Sequence, residues 1–168
     1  MNKLLITLGL FVLFYQCTSH KPKETNMKVQ VKISNKLDDE FRNKKTTFYS
    51  VNIDLINDTD STVSFWLMSC SWQDNWIINS DSVRFYYQGC DSNFPELKQI
   101  LSGQKLTFIG ILQVLSPLKI EIEKDFMIGF VEIKQHEYLV NSDFRNVLIA
   151  KIKDKKDIIW SKAFKFKN

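Results

Sequence analysis

Between residues 48 and 56 the chain alternates, with Tyr49, Val51, Ile53 and Leu55 on one side and Ser50, Asn52 and Asp54 on the other. A period of two belongs to a strand with one face on a core and one in water. It excludes a helix, whose apolar residues recur every three to four positions. Val29, Val31 and Ile33 repeat the pattern. Residues 63–68, 83–87, 105–115, 118–123, 127–133, 147–152 and 158–166 read as further strands. Asn57, Asp58, Thr59, Asp60 and Ser61 are dense turn chemistry, and residues 37–45 are charged and loop-like. Residues 95–101 read instead as a short helical turn, with Pro95 near its start and Gly103 just past its end.

Turn signals about every ten residues predict an all-β fold, a sandwich or barrel of about seven to nine strands. Composition agrees. Ala occurs only at 150 and 163, so the best helix former is nearly absent, and an apolar content of 44% does not suit a disordered chain. The chain reads as one domain over residues 28–168, without internal repeats or a second-domain linker.

The stretch Val51-Asn52-Ile53-Asp54-Leu55-Ile56-Asn57 leads into an Asn/Asp/Ser/Thr turn, and Leu101-Ser102-Gly103-Gln104-Lys105-Leu106 precedes a long strand. Residues 50–115 thereby resemble bacterial immunoglobulin-like domains. The Lys, Asn, Ile and Phe bias makes the whole similar to small lipoproteins of Bacteroidota-type envelopes. The resemblance implies an address and an immunoglobulin-like β-sandwich after an N-terminal signal segment, not an activity.

The start of the chain supports that address. Lys3 precedes an apolar run at residues 4–15, which is too short for the ~20 residues that a ~30 Å bilayer core requires. A positive start and a short apolar core read as a secretory signal over residues 1–16. Phe14-Tyr15-Gln16-Cys17 resembles a bacterial lipoprotein signal, which implies lipid on Cys17 and anchorage to a membrane. The family prefers a Leu-like residue where Phe14 stands and a small residue where Gln16 stands. Cleavage after Ser19, giving a periplasmic or secreted protein, and an uncleaved leader are the alternatives. Residues 17–27 are polar and suit a flexible tether.

With Cys17 lipidated, Cys70 and Cys90 form an even pair in an oxidising compartment and are expected to bridge. A thiol paired with His136 as a hydrolase is the weaker alternative. His136 lies in the polar run Lys134-Gln135-His136-Glu137 and reads as a solvated turn residue, and His20 as part of the tether. Two Cys and two scattered His do not make a zinc site. Asp74, Asp91 and Asn93 lack calcium-loop spacing and read as turn formers. No catalytic constellation, phosphate loop or nucleophile elbow is visible, and no cofactor is called for.

Net charge is +4, with acidic residues interleaved. Only residues 151–167 are locally basic, and they read as a solvated strand pair rather than a nucleic-acid surface. The best candidate site is the polar loop holding Trp72, Asp74 and Trp76, with Tyr86, Tyr87 and the Cys70–Cys90 bridge. Exposed tryptophan beside Asp and Asn suits glycan or peptide binding, whereas Trp66 reads as core. The expected function is a non-catalytic envelope binding module whose partner is a glycan or another envelope protein. The alternative is a protease-inhibitor-like or chaperone-like partner that uses loops or a strand edge.

Overall fold

The structure is a computed structural model, described here for residues 27–37, 46–87, 89–115, 125–140 and 143–166, without the side chains of Asn35, Leu139 and Val140. The leader, Cys17, most of the tether and the expected strand at 118–123 lie outside these residues.

Nine strands are described: β1 (Lys28–Lys36), β2 (Thr46–Ile56), β3 (Val63–Met68), β4 (Trp76–Ile78), β5 (Val83–Phe85), β6 (Pro95–Ile100), β7 (Lys105–Leu115), β8 (Ile128–Val131) and β9 (Ile158–Trp160). A 3-10 turn spans Trp72–Asn75, and two helices follow β8, α1 (Gln135–Val140) and α2 (Phe144–Asp154). The fold is all-β and sandwich-like. One layer is the sheet β1-β2-β7-β5. The other is built from the pairs β3-β6 and the trio β4-β8-β9.

The alternation read at 48–56 sets the first layer. β2 and β7 pair without a break from Thr46↔Leu115 to Ile56↔Lys105, which turns Val51, Ile53, Leu55, Phe108, Leu112 and Val114 to one face. Phe65, Leu67, Ile100, Trp76, Ile128 and Phe130 meet them from the second layer. Burying such a side chain contributes about 1.5–3 kcal/mol, so this shared core holds the layers together. β8 is buried on both faces. Its far side, with Val131 and Ile133, packs under Phe144 and Leu148 of α2.

Two expected elements are corrected. Residues 95–100 form a strand, not a helical turn, because they pair with β3 from Val63↔Ile100 to Met68↔Pro95. Pro95 sits at the first residue of that strand, where a missing N–H is tolerated. Residues 147–152 are helical, not a strand. Asp143 caps α2 by accepting from Arg145 N and Asn146 N, and Phe144, Val147, Leu148 and Lys151 fall at helical spacing on its inner side. The β-branched run concealed that period. His136 stands in the first turn of α1 rather than in an open turn, and it is exposed.

The turn after β2 is organised from inside by Asn57, which is fully buried. Its Nδ2 donates to Ser61 O at 2.7 Å and Ile100 O at 2.8 Å, and its Oδ1 accepts from Thr59 N at 3.0 Å. Asn57 N donates to Gln104 O, and Gly103 N donates to Asn57 O, both at 2.9 Å. One side chain thus ties the β2–β3 turn to the β6–β7 turn.

Candidate functional site

Cys70 and Cys90 are bridged, with Cα atoms 6.1 Å apart. The tryptophans expected to stand out beside the bridge turn inward. Trp76 is 5% exposed and wedges between Phe108, at 5.3 Å between ring centroids, and Phe130, at 5.0 Å. Trp72 is half-buried and packs against Phe108 at 5.1 Å and Phe85 at 5.7 Å. Its ring lies over Gly110, where an added Cβ would come 3.0 Å from Cη2. The 3-10 turn thereby folds the loop back onto the sheet, and Trp72 and Trp76 belong to the core rather than to a ligand surface. Trp66 bridges β3 and α1, with Nε1 donating to Gln135 O at 3.1 Å and its ring 4.7 Å from that of Tyr138.

Ser71 ties Asp74 to Asn93, while Gln73 Oε1, Asn75 Oδ1 and Trp76 Nε1 of the same loop are buried without a hydrogen-bond partner among the described residues. Ser71 Oγ donates to Asp74 Oδ2 at 2.5 Å and accepts from Asn93 Nδ2 at 2.5 Å, and Asn93 Oδ1 accepts from the Cys70 and Ser71 amides, each at 3.2 Å. Asp74 and Asn93 therefore meet, as turn formers; Asp91 is exposed. Tyr86 packs edge-on against Phe48, while Tyr87 is 48% exposed. Of the five residues grouped from the sequence, Trp72 and Trp76 go to the core and Tyr86 to local packing, whereas Asp74, though bonded to Ser71, and Tyr87 are exposed.

The tryptophan that does face outward is Trp160, 38% exposed, at the end of β9. It pairs with Gly129 of β8, and a Cβ at Gly129 would lie 2.8 Å from Trp160 Cε3 and 2.7 Å from Ile158 Cγ2. The missing side chain lets the indole settle on the strand as a fixed platform. Helix α2 covers Val131 and Ile158 on this face of the sheet but does not bury Trp160.

Trp160 lines two cavities, and Met27 lines both as well. One, of about 600 Å³, is walled by Val63, Glu132, Lys134 and Asp157. The other, of about 730 Å³, lies between β1 at Lys28, Val29 and Gln30 and the segment carrying Lys162 and Phe164. The two follow the seam between the layers, where a bridge at Val29↔Ser161 joins β1 to the chain just past β9.

The polar wall is anchored from beneath. Lys151, expected in a solvated basic stretch, has a side chain only 7% exposed; its Nζ lies 2.8 Å from Glu137 Oε1 and 2.6 Å from Asp157 Oδ2. Lys134 reaches Asp157 Oδ1 at 3.3 Å. The hydrogen bond from Lys151 pulls the Asp157 carboxyl below its ordinary pKa. Burial works against the Lys134 ammonium, yet the charge and hydrogen bond of Asp157 carry it above the ordinary lysine value. Glu132 goes the other way: burial raises its pKa, and it accepts no side-chain hydrogen bond among the described residues. Asp157 holds a left-handed backbone, φ 51°, which Asp tolerates better than most residues, and its carbonyl accepts from Glu132 N at 3.0 Å. The site thus offers an aromatic platform, a fixed carboxylate, a free carboxyl and ammonium donors. Trp160 was hidden in the sequence by the apolar run Ile158-Ile159-Trp160, which does not reveal its faces, and nothing there pairs it with Gly129.

Among the described residues no helix is long and apolar enough to cross a membrane, and no group of three or more His, Cys, Asp or Glu is placed to hold a metal ion. No family model matches the chain, and no curated protein matches it. Among solved structures, the chain is similar to a FixG-related protein from Vibrio parahaemolyticus, at 12% identity and a TM-score of 0.37, over 84% of this chain and 97% of that one.

Proposed function

We propose that this protein is a non-catalytic binding module of a bacterial cell envelope, held to a membrane by lipid on Cys17, and that it receives its ligand in the groove around Trp160. The observation that carries the reading is the partly exposed Trp160, which lines two cavities of about 600 and 730 Å³ with its indole seated on Gly129. A large apolar surface beside a few fixed polar groups is the usual make-up of a recognition site. The Cys70–Cys90 bridge supports an oxidising compartment outside the cytoplasm.

The test is crosslinked capture from an envelope extract, with wild-type protein and Trp160→Ala as baits. A species retained by the wild type and lost with the variant supports the reading. Equal retention, or chemical turnover of the captured species, overturns it. The inhibitor-like or chaperone-like alternative draws on Tyr87 and on Phe94, the latter 53% exposed, in the segments that the bridge draws together. Loss of capture with Tyr87→Ala/Phe94→Ala, but not with Trp160→Ala, would select it.

A further inference from the structure

We infer that the groove takes an oligosaccharide carrying an acidic sugar, an inference that rests on the binding reading above and gives its ligand a chemical class. Three features of the seam converge on it. The first is the platform. The Trp160 indole seats on Gly129, the residue is 38% exposed, and it lines both cavities, so a flat apolar ligand face can pack on its open part. The C–H face of a pyranose has that shape and hydrophobicity, and its equatorial hydroxyls point sideways rather than into the ring.

The second is the wall at the edge of the platform. Glu132 lies there with a carboxyl that no described group hydrogen-bonds, next to the Lys134 ammonium and the Asp157 carboxylate. Acceptors and donors placed side by side match the paired donor and acceptor character of sugar hydroxyls. The half-buried carboxyl has acceptor capacity that no described side chain uses, and a hydroxyl ligand can donate to it.

The third is charge. The second cavity that Trp160 lines is also lined by Lys28 and Lys162 and by no acidic residue. Lys28 is paired with Asp58, whereas Lys162 is exposed and makes no ion pair among the described residues. A chain of sugars lying across Trp160 would therefore set its hydroxyls against Glu132 and an acidic group against Lys162. An added peptide strand fits less well, because β1 is already bridged to Ser161 in the middle of the seam.

The test is calorimetric titration of the purified full chain with oligogalacturonates, with neutral cello-oligosaccharides of equal length, and with hexaglutamate. The expected result is saturable binding of the oligogalacturonate, weakened about tenfold or more by Trp160→Ala and less by Trp160→Phe. Lys162→Ala should weaken it several-fold and reduce its salt dependence, as removal of one exposed charge contact does. Unchanged melting temperature and circular dichroism would establish that the variants fold. Preference for hexaglutamate, equal affinity for the neutral sugars, or no saccharide binding at all would overturn the inference. If those results came together with Trp160-dependent capture from envelope extract, the ligand class alone would fall and the binding reading would stand.

Discussion

Replacing Lys151 by Met tests whether the buried ammonium organises the wall of the groove. Met keeps most of the stem and suits a helix, so the change removes charge with little lost packing. The lysine side chain is 7% exposed and lies between Glu137 Oε1 at 2.8 Å and Asp157 Oδ2 at 2.6 Å. Stranding a fully buried partner costs about 3–5 kcal/mol. Here both carboxylates are 21% exposed, and Lys134 stays within 3.3 Å of Asp157, so water and the second ammonium recover part of that. The expected loss is about 2–3 kcal/mol, or a melting temperature lower by roughly 5–10 °C. Urea unfolding of both proteins with the disulfide intact measures it.

The pH dependence adds a second check. The pKa of Asp157 is lowered in the fold, so its contribution is present above the ordinary carboxylate value and is lost as pH falls through the lowered one. The gap between wild type and Lys151→Met should be full at neutral pH and shrink below about pH 4. Glu132, with its pKa raised, has the opposite sign: its contribution is present below the ordinary glutamate value and fades as pH rises through the raised one. Glu132→Gln should therefore flatten stability against pH above about 4.3. A Lys151→Met variant as stable as wild type, or a gap that ignores pH, would refute the account.

Gly110→Ala should cost about 1–3 kcal/mol by pressing on Trp72, and Trp72→Phe should relieve part of it, which a double-mutant cycle by chemical denaturation would read. Asn57→Ala should cost about 1–3 kcal/mol, because it removes the buried amide that donates to Ser61 O and Ile100 O and ties the two turns together; thermal unfolding measures it. Reducing Cys70–Cys90, which are 20 residues apart in sequence, should cost about 3 kcal/mol in urea unfolding with and without reductant.

The all-β class, most strand positions and the pairing of Cys70 with Cys90 can be read from the sequence. Period-two alternation and turn residues are local signals, and the even count of two cysteines follows once Cys17 is set aside. Local pattern misreads residues 95–100 and 147–152 because a strand that borrows its pairing and a helix rich in β-branched residues differ little over six positions. Which tryptophans face water depends instead on packing between distant segments. Trp72 and Trp76 sit in a polar stretch, yet Gly110 and Phe108, far along the chain, draw them inward. Trp160 sits in an apolar stretch, yet Gly129 and the reach of α2 leave it at the surface. Likewise Lys151, one lysine among many in a basic tail, is the buried one because the fold sets Glu137 and Asp157 on either side of it. Burial is set by what packs against a side chain, and those partners come from distant segments that no local pattern brings together.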